Sequence, residues 1–232
     1  MEFITQVIGD AFEALTDFGP ELAGVLGLTL VVSLVSTFIG VVVGVPLGVG
    51  LALGRFRGRR AITILVHVGM GIPPVLVGLF LLLLFWDSGP FGSLGLVFTP
   101  TAMVIAQVLL ALPIAAGITA GAIEGLAPSA LEQLDALKLP RMVKGRIAAI
   151  EARSGVAAAV VASFGRVVAE VGAVLIIGGN IAGETRVLTT LIVQESRQAR
   201  FGAAVAAGVL LLLLSLLVNL LLGRFGQRPV GP

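Results

Sequence analysis

The chain has 232 residues, 57% of them hydrophobic and 12% charged, with 15 basic and 13 acidic side chains, a net charge of +2 and a mean hydropathy of +1.11. That balance excludes a soluble globular domain, in which about a quarter of residues are charged. The absence of cysteine excludes disulfides and thiolate metal ligands, and the single histidine, His67, cannot assemble a zinc site within one chain.

Residues 1–21 carry Glu2, Asp10, Glu13, Asp17 and Glu21 without a Lys or Arg, so they lack the basic start of a cleavable signal. Phe3, Ile4, Val7, Ile8, Phe12 and Leu15 fall on one helical face, which predicts an external amphipathic lead-in lying along the membrane interface; a solvated tail is the alternative. Uncharged runs at 22–54, 61–86 and 201–223 exceed the about 20 helical residues needed to cross a bilayer. Two further apolar runs, 98–122 and 155–179, bring the expected number of spans to five. The runs are continuous and far longer than the alternating segments of about ten residues in a barrel, so the expected fold class is an all-α integral membrane protein.

Within the first span Gly40, Gly44 and Gly48 recur every four residues, baring one helix face for close approach by a neighbour, for packing or for sliding. At about 1.5 Å per residue this span exceeds the hydrocarbon thickness, so it tilts, protrudes or kinks at Pro46. Arg55, Arg57, Arg59 and Arg60 fill the first loop. His67 stands near that end of span two, where interfacial packing suits it better than ligand contact. Pro73 and Pro74 in span two and Pro113 in span three interrupt helical hydrogen bonding inside the membrane, as moving gates or simply as shape.

The charged segment 124–153 separates spans three and four. Ser129-Ala-Leu-Glu132 has the form of a capping box, which predicts a short helix beginning near Ala130, with Leu131, Leu134 and Leu137 recurring beside Glu132, Asp135 and Lys138 until Pro140 closes it. An amphipathic helix between spans calls for a partner. In span four Arg166 and Glu170 stand four residues apart, which on a continuous helix places them on one face as a structural ion pair or a gate; charges at this depth are costly and face a bundle interior or a pathway. Arg166 suits an oxyanion, whereas Glu170 beside it repels one. Gly178-Gly-Asn180-Ile-Ala-Gly183 ends the span, and 185–198 reads as a helix too short to cross, external or re-entrant, whose arginines meet an external protein or line a solvated rim.

Short loops rich in Arg and Lys remain cytoplasmic. Placing 55–60 inside puts the N-terminus outside, 124–153 inside with five basic residues, and the tail 224–232 inside with two, against three basic residues outside, Arg186, Arg197 and Arg200. No G-x-x-x-x-G-K-[ST], G-x-S-x-G or H-E-x-x-H occurs, so the chain is expected neither to hydrolyse ATP nor to act as an intramembrane enzyme.

Met70-Gly-Ile-Pro-Pro-Val-Leu-Val-Gly78, Gly89-Pro-Phe-Gly-Ser-Leu-Gly-Leu96, Phe98-Thr-Pro-Thr-Ala-Met-Val-Ile-Ala-Gln107, Arg166-Val-Val-Ala-Glu-Val-Gly-Ala-Val174, Gly178-Gly-Asn-Ile181 and Thr185-Arg-Val-Leu-Thr-Thr190 resemble the transmembrane subunits of type-I ATP-binding-cassette importers, particularly permeases for tungstate, molybdate and related oxyanions. The likeness covers nearly the whole chain and implies the type-I permease fold over 22–223. It implies that 124–153 couples the chain to a cytosolic ATPase dimer, with Ser129, Leu131, Glu132, Gln133, Leu134, Leu137 and Lys138 as the coupling candidates; Pro73, Pro74, Arg166, Glu170 and Asn180 are the candidates to line or gate a pathway. The chain departs from the family's E-A-A coupling pattern, placing Gln133, Leu134 and Asp135 at its start and Lys138 at its glycine. The implied partners are a second copy of the chain, an extracellular oxyanion-binding protein and the lipid bilayer, with no nucleic acid. No metal or cofactor is expected in the chain itself, ATP and Mg2+ residing on the ATPase. A sulfate, phosphate or other solute permease is the alternative within this class, and a membrane scaffold or assembly factor without transport is the alternative outside it.

Overall fold

The computed structural model describes residues 2–16, 19–136 and 139–223. Among them the chain is helical: α1 (Glu2–Thr16), α2 (Pro20–Leu53), α3 (Arg59–Gly71), α4 (Pro74–Phe85), α5 (Pro100–Glu124), α6 (Pro128–Ala136), α7 (Arg141–Glu151), α8 (Arg153–Val168), α9 (Gly172–Gly178), α10 (Leu188–Arg197) and α11 (Phe201–Gly223), with a 3-10 turn at Gly92–Leu94. Three helices, α2, α5 and α11, are long and apolar enough to cross a bilayer alone. Two bent pairs, α3 with α4 at 104° and α7 with α8 at 79°, make five if each counts as one span. The helices divide between two compact units, the first of Met1–Ser36, Pro73–Gln107 and Val168–Val218, the second of Thr37–Ile72, Val108–Val167 and Asn219 onward.

In the second unit small residues set the packing. Gly40, Gly44 and Gly48 of α2 lie against α5 so closely that a Cβ at Gly40 or Gly44 would stand 2.7 Å from the Cβ of Ala111 or Ala115, and one at Gly48 would meet the Ala116 carbonyl. The glycine face is therefore a packing surface. On α8, Gly155 abuts Ala122, Ala159 is fully buried, and the Ser163 hydroxyl donates to the Ala111 carbonyl at 3.3 Å. Such approach supplies the van der Waals contact that drives helix association where lipid removes the hydrophobic term. Arg59 fastens the start of α3 by donating from Nε to the Leu51 carbonyl at 2.5 Å and from Nη2 to Glu124 at 2.9 Å.

In the first unit α1 crosses the start of α11, with Phe3 edge-on to Phe201 at 5.9 Å and Asp10 over Gly202. Ala11 is buried while Phe3, Ile4, Ile8 and Phe12 are at least 60% exposed, leaving an apolar stripe on the outer face of the helix. Thr29 of α2 accepts the Leu188 N–H at 2.9 Å, tying α10 to α2, and Phe98, at φ 58, donates its N–H to the Ile177 carbonyl at 3.0 Å. Trp86 closes α4, its N–H donating to the Leu82 carbonyl.

The structure departs from the sequence expectations at three places. The run 155–179 is not one helix: α8 ends at Val168, and α9 begins at Gly172. The break is stable because the Glu170 carboxylate supplies a partner for an N–H of the new helix. The short helix expected to begin near Ala130 begins at Pro128, so Ser129 lies in its first turn; Pro at the first helical position has the required φ and no N–H to leave unpaired. Pro140 heads a further helix, α7, which the charged segment concealed.

Candidate functional site

The first unit contains two half-helices that each begin at a break. Pro73 precedes α4 in extended geometry (φ −62, ψ 121) and Pro74 occupies its first turn, so the chain enters α4 only after the Pro-Pro interruption. α9 begins after Val171. The first turns of α4 and α9 lie together: a Cβ at Gly172 would stand 2.6 Å from Val75 Cγ2, and one at Gly78 would stand 2.8 Å from the Ala173 Cα. Half-helices that start inside the membrane region bring unpaired N–H groups to one place, an arrangement tolerated only against protein or a water-filled cavity and recurrent at transporter binding sites.

Glu170 is buried beside this pair, its Oε1 accepting the Ala173 N–H at 3.0 Å and its carbonyl accepting the Thr189 hydroxyl at 2.9 Å. A carboxylate complements the positive end of the α9 dipole. Arg166 lies in the last turn of α8, where a cation complements the negative end of that helix. Because α8 ends at Val168, Arg166 and Glu170 do not stand on one continuous helix.

Asn180 follows α9 at φ 54, a left-handed geometry that Asn tolerates better than most residues, next to Gly179 at φ 73. Its Nδ2 donates to Gln194 Oε1 at 2.7 Å, while Oδ1 is buried without a hydrogen-bond partner. The buried Thr185 hydroxyl donates to the Gly178 carbonyl at 2.5 Å and accepts the Ile181 N–H at 2.9 Å, closing the loop that leads to α10. Arg186 pairs with Glu21 at 3.1 Å, and Arg200 holds the buried Glu195 with two bonds of 2.6 and 2.8 Å. These groups line a 420 Å³ cavity with Gln194. Its charges come in opposite-sign pairs, which gives it no preference for anions. Two of the three arginines in this region are thus engaged within the chain, and Arg197 is exposed.

In the second unit Ser129, Glu132 and Gln133 are exposed on α6. Leu131 and Leu134 belong to the same helix, whereas Leu137 and Lys138 lie outside the described residues. α6 touches α7, whose amphipathicity is inverted: Gly145 and Ala148 are buried while Met142, Val143 and Ile150 are exposed. α7 was hidden within the charged segment 124–153, because small residues form its buried face and its large apolar residues are exposed. The available signal was Pro140 followed by small residues at 145, 148 and 152, with Ala148 and Ala152 packed on Ile123.

The model of the family described as binding-protein-dependent transport system inner membrane component matches residues 44–230. The chain is 38% identical over 181 residues to a probable anion ABC transporter permease protein of Haloferax volcanii, covering 76% of this chain and 78% of that protein. It is 34% identical over 228 residues to the tungstate uptake system permease protein of Peptoclostridium acidaminophilum, covering 94% of this chain and 96% of that protein. Among solved structures, a bacterial ABC transporter involved in import of the acidic polysaccharide alginate superposes with a TM-score of 0.75 at 18% identity, over 96% of this chain and 84% of that one, a likeness of fold.

Proposed function

The chain belongs to the family of binding-protein-dependent transport system inner membrane components, and on that premise we propose that it is the permease subunit of an ATP-driven anion importer, with tungstate as its substrate. The observation that carries the substrate is the likeness to the tungstate uptake permease, which covers 94% of this chain and 96% of its relative. The type-I permease fold and the membrane location follow from the family itself.

In this reading the N-terminus is outside and the loops at 55–60 and 124–153 are cytosolic, because the basic residues concentrate there. Two copies form the pathway along a shared axis. α6 docks on a cytosolic ATPase dimer, which holds the ATP and Mg2+ that this chain has no phosphate-binding loop to bind. An extracellular binding protein delivers the anion to the side bearing α10 and supplies most of the selectivity. The breaks before α4 and α9, with Pro73, Pro74 and Glu170 at them, are where the pathway changes shape as the coupling helices approach and separate, and Asn180 closes the adjoining loop.

The test is uptake by proteoliposomes holding the permease with its ATPase and binding protein, supplied separately with tungstate, molybdate and sulfate. ATP-dependent accumulation of tungstate at concentrations where sulfate is not moved is the expected result. Accumulation of sulfate in preference would reassign the substrate, and normal tungstate uptake by cells lacking this chain would remove the transport role in favour of a scaffold.

A further inference from the structure

The second unit carries a cleft of 880 Å³ where the end of α2, the start of α3 and the start of α7 meet. Its wall contains four cations, Arg55, Arg59, Arg141 and Lys144, together with apolar groups that include Leu53 and Phe56, and no carboxylate among the described residues. Glu124 engages Arg59 from outside the lining, which fixes that guanidinium in place between the Leu51 carbonyl and the acid. Arg55 and Arg141 are exposed.

We propose that this cleft binds the phosphate headgroup of an anionic phospholipid from the cytosolic leaflet, with the first part of its chains against the apolar wall. Guanidinium groups suit phosphate because their planar donors meet two oxygens at once. Basic pockets between spans on the cytosolic side have the composition that recognises anionic lipid headgroups. Two features favour a lipid over a free oxyanion of the same chemistry. The cleft has the size of a site for a molecule much larger than a bare anion. Val49, Leu53, Phe56 and Leu139 give it an apolar wall, which returns nothing to a hydrated ion but continues the acyl environment for a lipid. The same cleft joins the loop of 55–59 to Arg141, the first residue after the linker from the coupling helix, so an occupant touches both segments.

The assignment to the cytosolic leaflet rests on the orientation given under the proposed function; the headgroup chemistry does not. The experiment uses the full chain in detergent, with phosphatidylglycerol and phosphatidylcholine as probes and bound lipid counted by native mass spectrometry. Phosphatidylglycerol should be retained in preference, and Arg55→Gln with Arg141→Gln should lower its affinity about thirtyfold, as expected for two cations near an anionic surface. Arg55→Lys with Arg141→Lys should restore most of it, which separates lost charge from lost fold, and Arg197→Gln on the exposed rim should not change it. Equal retention of both lipids, or an unchanged affinity in the Gln pair, would overturn the site. Displacement of the lipid by inorganic phosphate or tungstate at millimolar concentration would reassign it to a free oxyanion. Labelling of Arg57→Cys from outside the cell would overturn the leaflet, whereas a failure to import tungstate would bear only on the transport reading.

Discussion

Two glycines of α2, six residues apart, should respond oppositely to the same methyl group. At Gly44 a Cβ would stand 2.7 Å from the Ala115 Cβ and 2.7 Å from the Leu112 carbonyl oxygen, and the second of these is backbone that cannot swing aside. Gly50 has nothing within 4 Å of that position. Alanine in a helix interior is favoured over glycine by roughly 0.5–1 kcal/mol, so Gly50→Ala should be neutral to stabilising by that amount. At Gly44 the same gain is outweighed by overpacking, typically about 1–3 kcal/mol, because α2 and α5 must separate by several tenths of an ångström along a contact that also holds Gly40 and Gly48. The expected gap between the two variants is about 2 kcal/mol, which for a chain of this size corresponds to roughly 4–8 °C in midpoint. Thermal unfolding of the purified protein in one detergent, followed by circular dichroism, measures it. Equal midpoints, or a more stable Gly44→Ala, would show that α2 and α5 do not meet through this face and would refute the packing argument.

Leu134→Glu, which charges the apolar repeat of α6, should abolish co-purification of the ATPase while the permease still inserts; an unchanged complex would remove α6 from coupling. Glu170→Ala should lower stability by about 1 kcal/mol through loss of the α9 cap, whereas Glu170→Gln keeps an acceptor for the Ala173 N–H and should lose less; uptake retained by both variants would leave Glu170 as a structural cap without a gating role. The native chain has no cysteine, so a single thiol placed at Arg57 should be modified only from the cytosolic side and one at Leu94 only from outside, with the opposite pattern inverting the orientation.

The long helices were legible because uncharged runs of more than 20 residues have few alternatives in a bilayer. The glycine spacing at 40, 44 and 48 was legible for a related reason, since a bare face every four residues has to meet something. The Pro73-Pro74 break was legible as well; what the sequence concealed is the interruption after α8. Between Val168 and Gly172 hydropathy stays high, and only Glu170 marks a break whose cause, a carboxylate turning back onto the Ala173 N–H, is a three-dimensional event. A spacing of four then reads as one continuous helix although α8 ends between the two residues. Ser129 misled in the opposite way, by offering a good capping sequence just after a proline that starts a helix on its own terms. The bonds of Asn180 to Gln194 and of Thr185 to the Gly178 carbonyl carry no local motif, and only the folded loop makes them.

Trp86, the single tryptophan of a chain that contains no tyrosine, ends α4, the helix that follows the 104° bend. With Phe as the only other aromatic, nearly all near-ultraviolet absorbance and emission of this permease comes from one indole. At 47% exposure the ring has environment on one side to lose or gain. Any reorientation of α4 during the transport cycle therefore changes the emission of an unmodified protein, and in a symmetric dimer both reporters stand at equivalent positions. Provided the partners' own fluorescence is subtracted, the wild-type chain carries its own optical probe of the broken span, with no engineered label to perturb the packing it reports.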